Sequence, residues 1–114
     1  MNRHAEAFRI RPELVSEYKK CHDEIWPEMA KAIEDSGIRN YSIFFRGDGT
    51  LFAYFECEDA EAAFASIRKQ DVNARWQAAM EKFFIKRDSA IVGPETEELR
   101  EVFHLDGRGG AGMS

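Results

Sequence analysis

The chain reads Asn40-Tyr41-Ser42-Ile43-Phe44-Phe45-Arg46-Gly47-Asp48-Gly49-Thr50-Leu51-Phe52-Ala53-Tyr54-Phe55-Glu56-Cys57 through its middle. Gly47-Asp48-Gly49 is a hairpin turn, because Asp-Gly tolerates the positive φ that tight turns demand. The runs on either side read as strands. Asn40 to Arg46 carries Tyr41, Ile43 and Phe45 on one face, and Thr50 to Cys57 forms the return strand. The segments flanking this central hairpin decide the topology.

On its N-terminal side, Ala5 to Arg11 alternates Phe8 and Ile10 with Arg9 and Arg11, as a half-buried strand does. Pro12 suits the first position of a helix. Leu14, Tyr18, Cys21, Ile25, Met29 and Ala32 follow at helical spacing, and Ser36-Gly37 closes that run with glycine at the left-handed position. On the C-terminal side, Asp59 is expected to cap a short helix ending near Lys69. Asp71 is expected to cap a second, with Val72, Trp76, Ala79, Met80 and Phe83 at helical spacing. Gly93-Pro94 breaks the chain, and Leu99 to Leu105 reads as a fourth strand.

The resulting order is β-α-β-β-α-β with the second helix split. This is an α+β chain with an antiparallel sheet, the ferredoxin-like arrangement. Both helices lie on one face of such a sheet, so the opposite face needs a cover or forms a cavity. A sheet this rich in Phe, Tyr and Ile calls for a homodimer, a ligand pocket or both. Residues 1–106 read as one domain, and the glycine-rich stretch 107–114 as a flexible tail.

The chemistry concentrates in Tyr18-Lys19-Lys20-Cys21-His22-Asp23-Glu24-Ile25-Trp26-Pro27-Glu28. Helical spacing places Tyr18, His22 and Trp26 on one stripe. An imidazole between apolar rings suits proton transfer, since its surroundings can tune it near neutrality. A core histidine satisfied by a backbone carbonyl has the same pattern. Pro27 lacks an N–H and crowds the carbonyl of Asp23, which predicts a kink or a new helical start there. His4 and His104, near strand ends, are expected to be solvated. Glu6 shares a strand face with Phe8 and Ile10, and Glu101 shares one with Leu99 and Phe103. Each acid is either a second proton-transfer group or an edge-strand gatekeeper.

Composition narrows the class. The chain has 114 residues, 44% hydrophobic and 12% aromatic, with a net charge of −5. An acidic chain with scattered Lys and Arg does not suit nucleic acid. No stretch approaches the roughly 20 apolar residues of a membrane span, and the N-terminus has no signal-peptide hydrophobic region. Cys21 and Cys57 make neither a disulfide framework nor a metal pattern, so a reduced, cytoplasmic protein is expected. The sequence contains no nucleophile elbow, phosphate loop or metal-ligand cluster. Cofactor-free proton chemistry or ligand binding is what composition and spacing leave.

Four motifs in register carry a family resemblance. Tyr18-x-x-x-His22-x-x-Ile25-Trp26-Pro27-Glu28 resembles the helix signature of the L-rhamnose mutarotases. Asn40-Tyr41-x-Ile43, then Asp71-Val72 with Arg75-Trp76 and Met80, then Glu98-Leu99-x-Glu101-Val102-Phe103-x-Leu105 resemble its later segments, so residues 3–105 are covered. The resemblance implies a cytoplasmic, homodimeric, cofactor-free isomerase with a dimeric α/β barrel, which interconverts the α and β anomers of L-rhamnose. By the same resemblance His22 is the proton donor, and Tyr18, Tyr41 and Trp76 bind the sugar. Gln77 stands where some members carry a second tryptophan, and His104 where they carry a tyrosine. Trp26 and Trp76 offer apolar faces to C–H groups and a 6-methyl, and the Gln77 amide can bond a hydroxyl. A sugar-binding or metabolite-sensing protein, or a cofactor-free monooxygenase of the same fold, are the alternatives.

Overall fold

The computed structural model describes residues 1–105 and Gly107. The element order is β1 (Asn2–Ile10), α1 (Val15–Asp23), α2 (Pro27–Asp35), β2 (Arg39–Arg46), β3 (Thr50–Cys57), α3 (Ala60–Arg68), α4 (Asp71–Met80), β4 (Phe84–Ile85) and β5 (Glu97–Leu99). The sheet runs β2-β3-β1-β4, and β5 also pairs with β1. All pairings are antiparallel. The α+β, ferredoxin-like architecture is therefore the one the element order implied.

The hairpin forms as its sequence dictates. Gly49 has φ +100°, and a Cβ there would stand 2.7 Å from the Ile10 carbonyl oxygen. Only glycine permits this turn to lie against the end of β1, where the Ile10 N–H donates to the Gly49 carbonyl at 2.9 Å. β3 alternates strictly: Leu51, Ala53, Phe55 and Cys57 are buried and the residues between them half-buried. With Phe8, Ile10, Met29, Ile38, Ile67, Val72, Trp76 and Phe83 they form one core between sheet and helices. Asp59 caps α3 as expected, its Oδ1 accepting from the Ala62 N–H at 3.1 Å.

The structure corrects several expectations. Pro27 starts a new helix, the second of the two outcomes it predicted, but Trp26 before it is extended, with φ −60° and ψ 130°, and is not on a helix. A residue before proline is pushed out of the helical region by the proline ring. Trp26 therefore leaves the stripe that Tyr18 and His22 share. Asp71 is the first residue of α4 and not its cap; its carboxylate takes the Arg75 guanidinium at 3.0 Å.

β2 begins with a bulge: Arg39 faces Glu56 and Ser42 faces Tyr54, so Asn40 and Tyr41 together oppose Phe55. Asn40 adopts φ 51° there, and its side-chain amide donates to Glu56 at 2.8 Å. The C-terminal strand spans only Glu97–Leu99, not Leu99 to Leu105. Leu99 faces Ala5, and β1 starts at Asn2, so the chain soon runs past the backbone that β1 can offer it. Val102, Phe103 and Leu105 are exposed. Glu101 turns to Arg3, with bonds of 2.7 and 3.0 Å, and so is a surface ion pair. His4 is not solvated but stacks on Phe55 at 5.2 Å. The tail expected over residues 107–114 lies, apart from Gly107, outside the described residues.

Candidate active site

The helices do not cover the whole sheet. β2, at the edge, has no fully buried residue. The space beside it on the helical face is a cavity of about 1170 Å³, open to solvent, with a smaller recess of about 80 Å³ at its inner end. On the sheet the cavity is bordered by Glu6, Ile43, Phe45 and Leu51 of the helical face. Both cavities are bordered by Tyr18 and His22 from α1, Tyr41 from β2 and Trp76 and Gln77 from α4. Five of the six site residues read from the sequence therefore meet in one place.

Each is positioned by an identifiable local cause. The Tyr18 ring lies over that of His22 at 4.3 Å, one helical turn apart, and meets Phe83 edge-on at 5.4 Å. His22 meets Trp76 edge-on at 5.5 Å. Trp26, freed from the helix by Pro27, packs edge-on against Trp76 at 5.1 Å and borders neither cavity. It backs the wall that Trp76 presents. The bulge in β2 aims Tyr41 to the helical side, where its ring meets Phe55 at 5.7 Å.

The loop 86–96 closes one side of the cavity with Val92, Gly93, Pro94 and Thr96. Gly93 has φ +80°, and a Cβ there would stand 2.9 Å from the Gln77 side-chain oxygen, so the loop lies directly on that amide. Lys86 anchors the loop, donating to the Ile91 carbonyl at 2.6 Å and pairing with Glu81. Glu95 accepts from the backbone of Arg87 and Asp88 at 2.7 and 3.2 Å. Gly93-Pro94 was the only sequence signal of this loop, and it read merely as a chain break.

The electrostatics suit proton exchange. His22 Nδ1 lies 3.0 Å from the Tyr18 carbonyl oxygen. A carbonyl only accepts, so Nδ1 carries the hydrogen and donates, leaving Nε2 as the nitrogen available to a ligand. The bland expectation of a carbonyl-satisfied histidine is thus met at one nitrogen only. Burial lowers the His22 pKa below its ordinary 6.5, partly opposed by that hydrogen bond and by Asp23. Burial also raises the Tyr18 phenol. Tyr41 shows 41% of its surface, yet its phenol is desolvated, and burial with nearby Glu6 pushes its pKa up to about 12. Both tyrosines are therefore neutral hydroxyls, able to donate to and accept from a ligand's oxygens. The Gln77 side-chain oxygen is buried without a partner, a free acceptor at the cavity wall.

One histidine, two neutral phenols, an indole and an amide whose oxygen is unpaired border a single open cavity on a ferredoxin-like sheet, the make-up of a small-molecule site. The chain matches the L-rhamnose mutarotase family over residues 3–105. It is 37% identical over 107 residues to the L-rhamnose mutarotase of Bacillus subtilis, covering 93% of this chain and 100% of that one. It is 42% identical to that of Acidiphilium cryptum, covering 87% and 95%. Among solved structures, the L-rhamnose mutarotase of Formosa agariphila superposes with a TM-score of 0.76 at 26% identity, covering 93% of this chain and all of that one. A dimeric ferredoxin-like protein from an uncultured marine organism shares the fold, with a TM-score of 0.60 at 12% identity. The chain belongs to the L-rhamnose mutarotase family, and it is an isomerase.

Proposed function

We propose that the protein interconverts the α and β anomers of L-rhamnose in this cavity, with His22 as the proton donor and Tyr18, Tyr41, Trp76 and Gln77 as sugar contacts. The convergence of these residues on one cavity, in a chain of this family, carries the reading. Mutarotation opens the pyranose, turns C1 about the C1–C2 bond and recloses it. Opening requires a proton delivered to the ring oxygen and one removed from the anomeric hydroxyl. Protonated His22 has its second N–H at Nε2 and can deliver the first. The reaction proceeds slowly in water, so modest acid–base assistance, typically ~10²–10⁴-fold, suffices. The neutral phenols and the Gln77 amide suit sugar hydroxyls. Trp76, supported by Trp26, suits C–H groups and a methyl. The test is anomer exchange of L-rhamnose followed by NMR. Protein-dependent acceleration supports the reading, and binding without acceleration overturns it.

Selectivity should be graded. L-mannose is L-rhamnose with a hydroxyl added at C6. That hydroxyl loses water against an apolar wall, yet such walls reject an added hydroxyl only weakly, by ~10² at most. Gln77 narrows the gap further by offering it an acceptor. L-rhamnose should therefore exchange faster, with L-mannose still measurable. Equal rates, or a preference for a D-aldohexose, would mean a different pocket chemistry.

A homodimer joined through the open sheet face belongs to the same proposal. On that face Phe44 is 63% exposed and pairs across the strands with Phe52, which in turn faces Ala7. Tyr54 and Ala5 extend the patch. The exposed Val102, Phe103 and Leu105 add apolar surface, more than an isolated small domain usually leaves open. Sedimentation at micromolar concentration should give twice the 13.1 kDa chain mass; a stable monomer would refute it. The free thiols of Cys21 and Cys57 suit a reducing, cytoplasmic setting, and no helix among the described residues is long and apolar enough to cross a membrane.

A further inference from the structure

We infer that Glu6 is the second catalytic group, the base that takes the anomeric proton while His22 supplies one to the ring oxygen. This rests on the mutarotase reading above. Three observations of geometry carry it. First, Glu6 borders the inner recess together with His22, Tyr18, Tyr41 and Gln77, on the opposite wall from α1. It stands on the central strand, on the same face as Phe8 and Ile10, where the sheet is otherwise apolar core. Second, the row through it is hollowed. Glu6 faces Ala53, and Ala53 faces Ile43, so a methyl group is all that fills the floor between β1 and β2. A carboxyl at that point reaches open space and not a packed side chain. Third, its carboxyl has neither a hydrogen bond nor an ion pair among the described residues. A half-buried acid is costly to leave unpaired. A ligand hydroxyl supplies the missing partner.

The surroundings set its ionisation. Burial, then the like charge of Glu98 directly across on β5, raises the Glu6 pKa above the ordinary 4.5. The other titratable groups bordering the recess are His22 and Tyr18 on α1 and Tyr41 on β2. α4 contributes Trp76 and Gln77, and β3 no charge. Lys19, Asp23, Glu34, Arg39 and Arg68 border only the outer mouth. Glu6 and His22 are thus the carboxyl and the imidazole of the recess, with pKa values shifted toward each other.

The step closes without a co-reactant. The Glu6 carboxylate takes the proton from the O1 hydroxyl, the C1–O5 bond breaks as the C1 carbonyl forms, and protonated His22 gives its Nε2 proton to O5. The open-chain aldehyde turns about C1–C2. On reclosure O5 attacks C1, His22 recovers the O5 proton, and Glu6 returns its proton to O1. Each group ends as it began. The pair needs one proton between them, so kcat/KM should be bell-shaped in pH. It falls below the Glu6 pKa, which lies above 4.5, and above the His22 pKa, which lies below 6.5.

The experiment measures L-rhamnose anomer exchange by NMR against pH, with the uncatalysed rate subtracted, for the native chain, Glu6→Gln, Glu98→Gln and His22→Asn. Glu6→Gln, which keeps size and polarity, should lower kcat by about 10²-fold with little change in KM, and should abolish the acid limb. Glu98→Gln should keep the rate and move the acid limb to lower pH, which tests the assignment even if Glu6→Gln does not fold. A Glu6→Gln chain with kcat within about threefold of native and an unchanged acid limb overturns the role of Glu6. So does an acid limb unmoved in Glu98→Gln. If His22→Asn is also unimpaired, the mutarotase site itself is misplaced. If only His22→Asn is impaired, the fault lies with Glu6 alone.

Discussion

His22→Asn should lower enzymatic anomer exchange by at least ~10²-fold, the usual size of a lost acid–base group, while the protein stays folded. Asparagine preserves much of the imidazole's volume and can still donate to the Tyr18 carbonyl, which His22 Nδ1 approaches at 3.0 Å. What it lacks is a proton to give at any working pH. The stacking on Tyr18 and the edge contact to Trp76 are partly lost, but His22 is only half-buried, so the packing penalty is small beside the chemical one. The native pH profile should carry the same signature. Burial holds the imidazole below 6.5, so the protonated donor is depleted as pH rises through that lowered value, and the alkaline limb lies below pH 6.5. Near-native exchange by a folded His22→Asn chain would remove His22 from the mechanism. An alkaline limb well above 6.5 would mean that an anionic partner outweighs burial.

How much of this was legible in the chain depends on whether the cause was local. The hairpin was, because the strict alternation of β3 and the Gly49 turn are properties of a few adjacent residues. Gly37, with φ +98°, ends its helical turn where the sequence placed it. Of the site, Tyr18 and His22 were legible as a pair one turn apart. Their meeting with Trp76 was not, because it depends on α4 packing against α1 and α2, with Arg75 bonded to Glu28 on α2 at 3.1 Å.

Trp26 was misplaced for a local reason that outranked periodicity. The steric demand of Pro27 acts on the residue before it, and a stripe counted in fours ignores that. β4 is two residues long and has no period to detect. The overlong C-terminal strand shows the converse. Leu99 to Leu105 alternates like a strand, but a strand exists only where a neighbour's backbone pairs with it, and β1 begins at Asn2. The Tyr41 bulge was hidden too, since an Asn at φ 51° is one residue's departure inside an otherwise regular run.

Trp76→Ala should be the most destabilising single change in the site, and Trp76→Phe should separate its two roles. The indole is 6% exposed. It supports His22 from one side and is itself supported by Trp26. Truncating a buried tryptophan costs about 3–5 kcal/mol, because the transfer energy is lost and a cavity is left that neighbours refill only partly. That is a large share of the roughly 5–15 kcal/mol a small domain has in total. For a chain of this length it corresponds to a drop in melting temperature on the order of 20 °C. The gap would join an already open cavity, so water can enter it, and the loss should lie toward the lower end of that range.

Phenylalanine retains an aromatic edge for His22 and for Trp26 and fills most of the volume. Trp76→Phe should therefore melt within several degrees of the native chain. It should still bind the sugar less well, because the smaller ring presents less apolar face to C–H groups and the methyl, and KM should rise more than kcat falls. Calorimetry checks the first expectation and NMR exchange at varied sugar concentration the second. If Trp76→Ala melts close to the native temperature, the indole is not the wall between α1 and α4. If Trp76→Phe leaves KM unchanged, the sugar rests on another surface of the cavity, with Tyr41 the next aromatic in line.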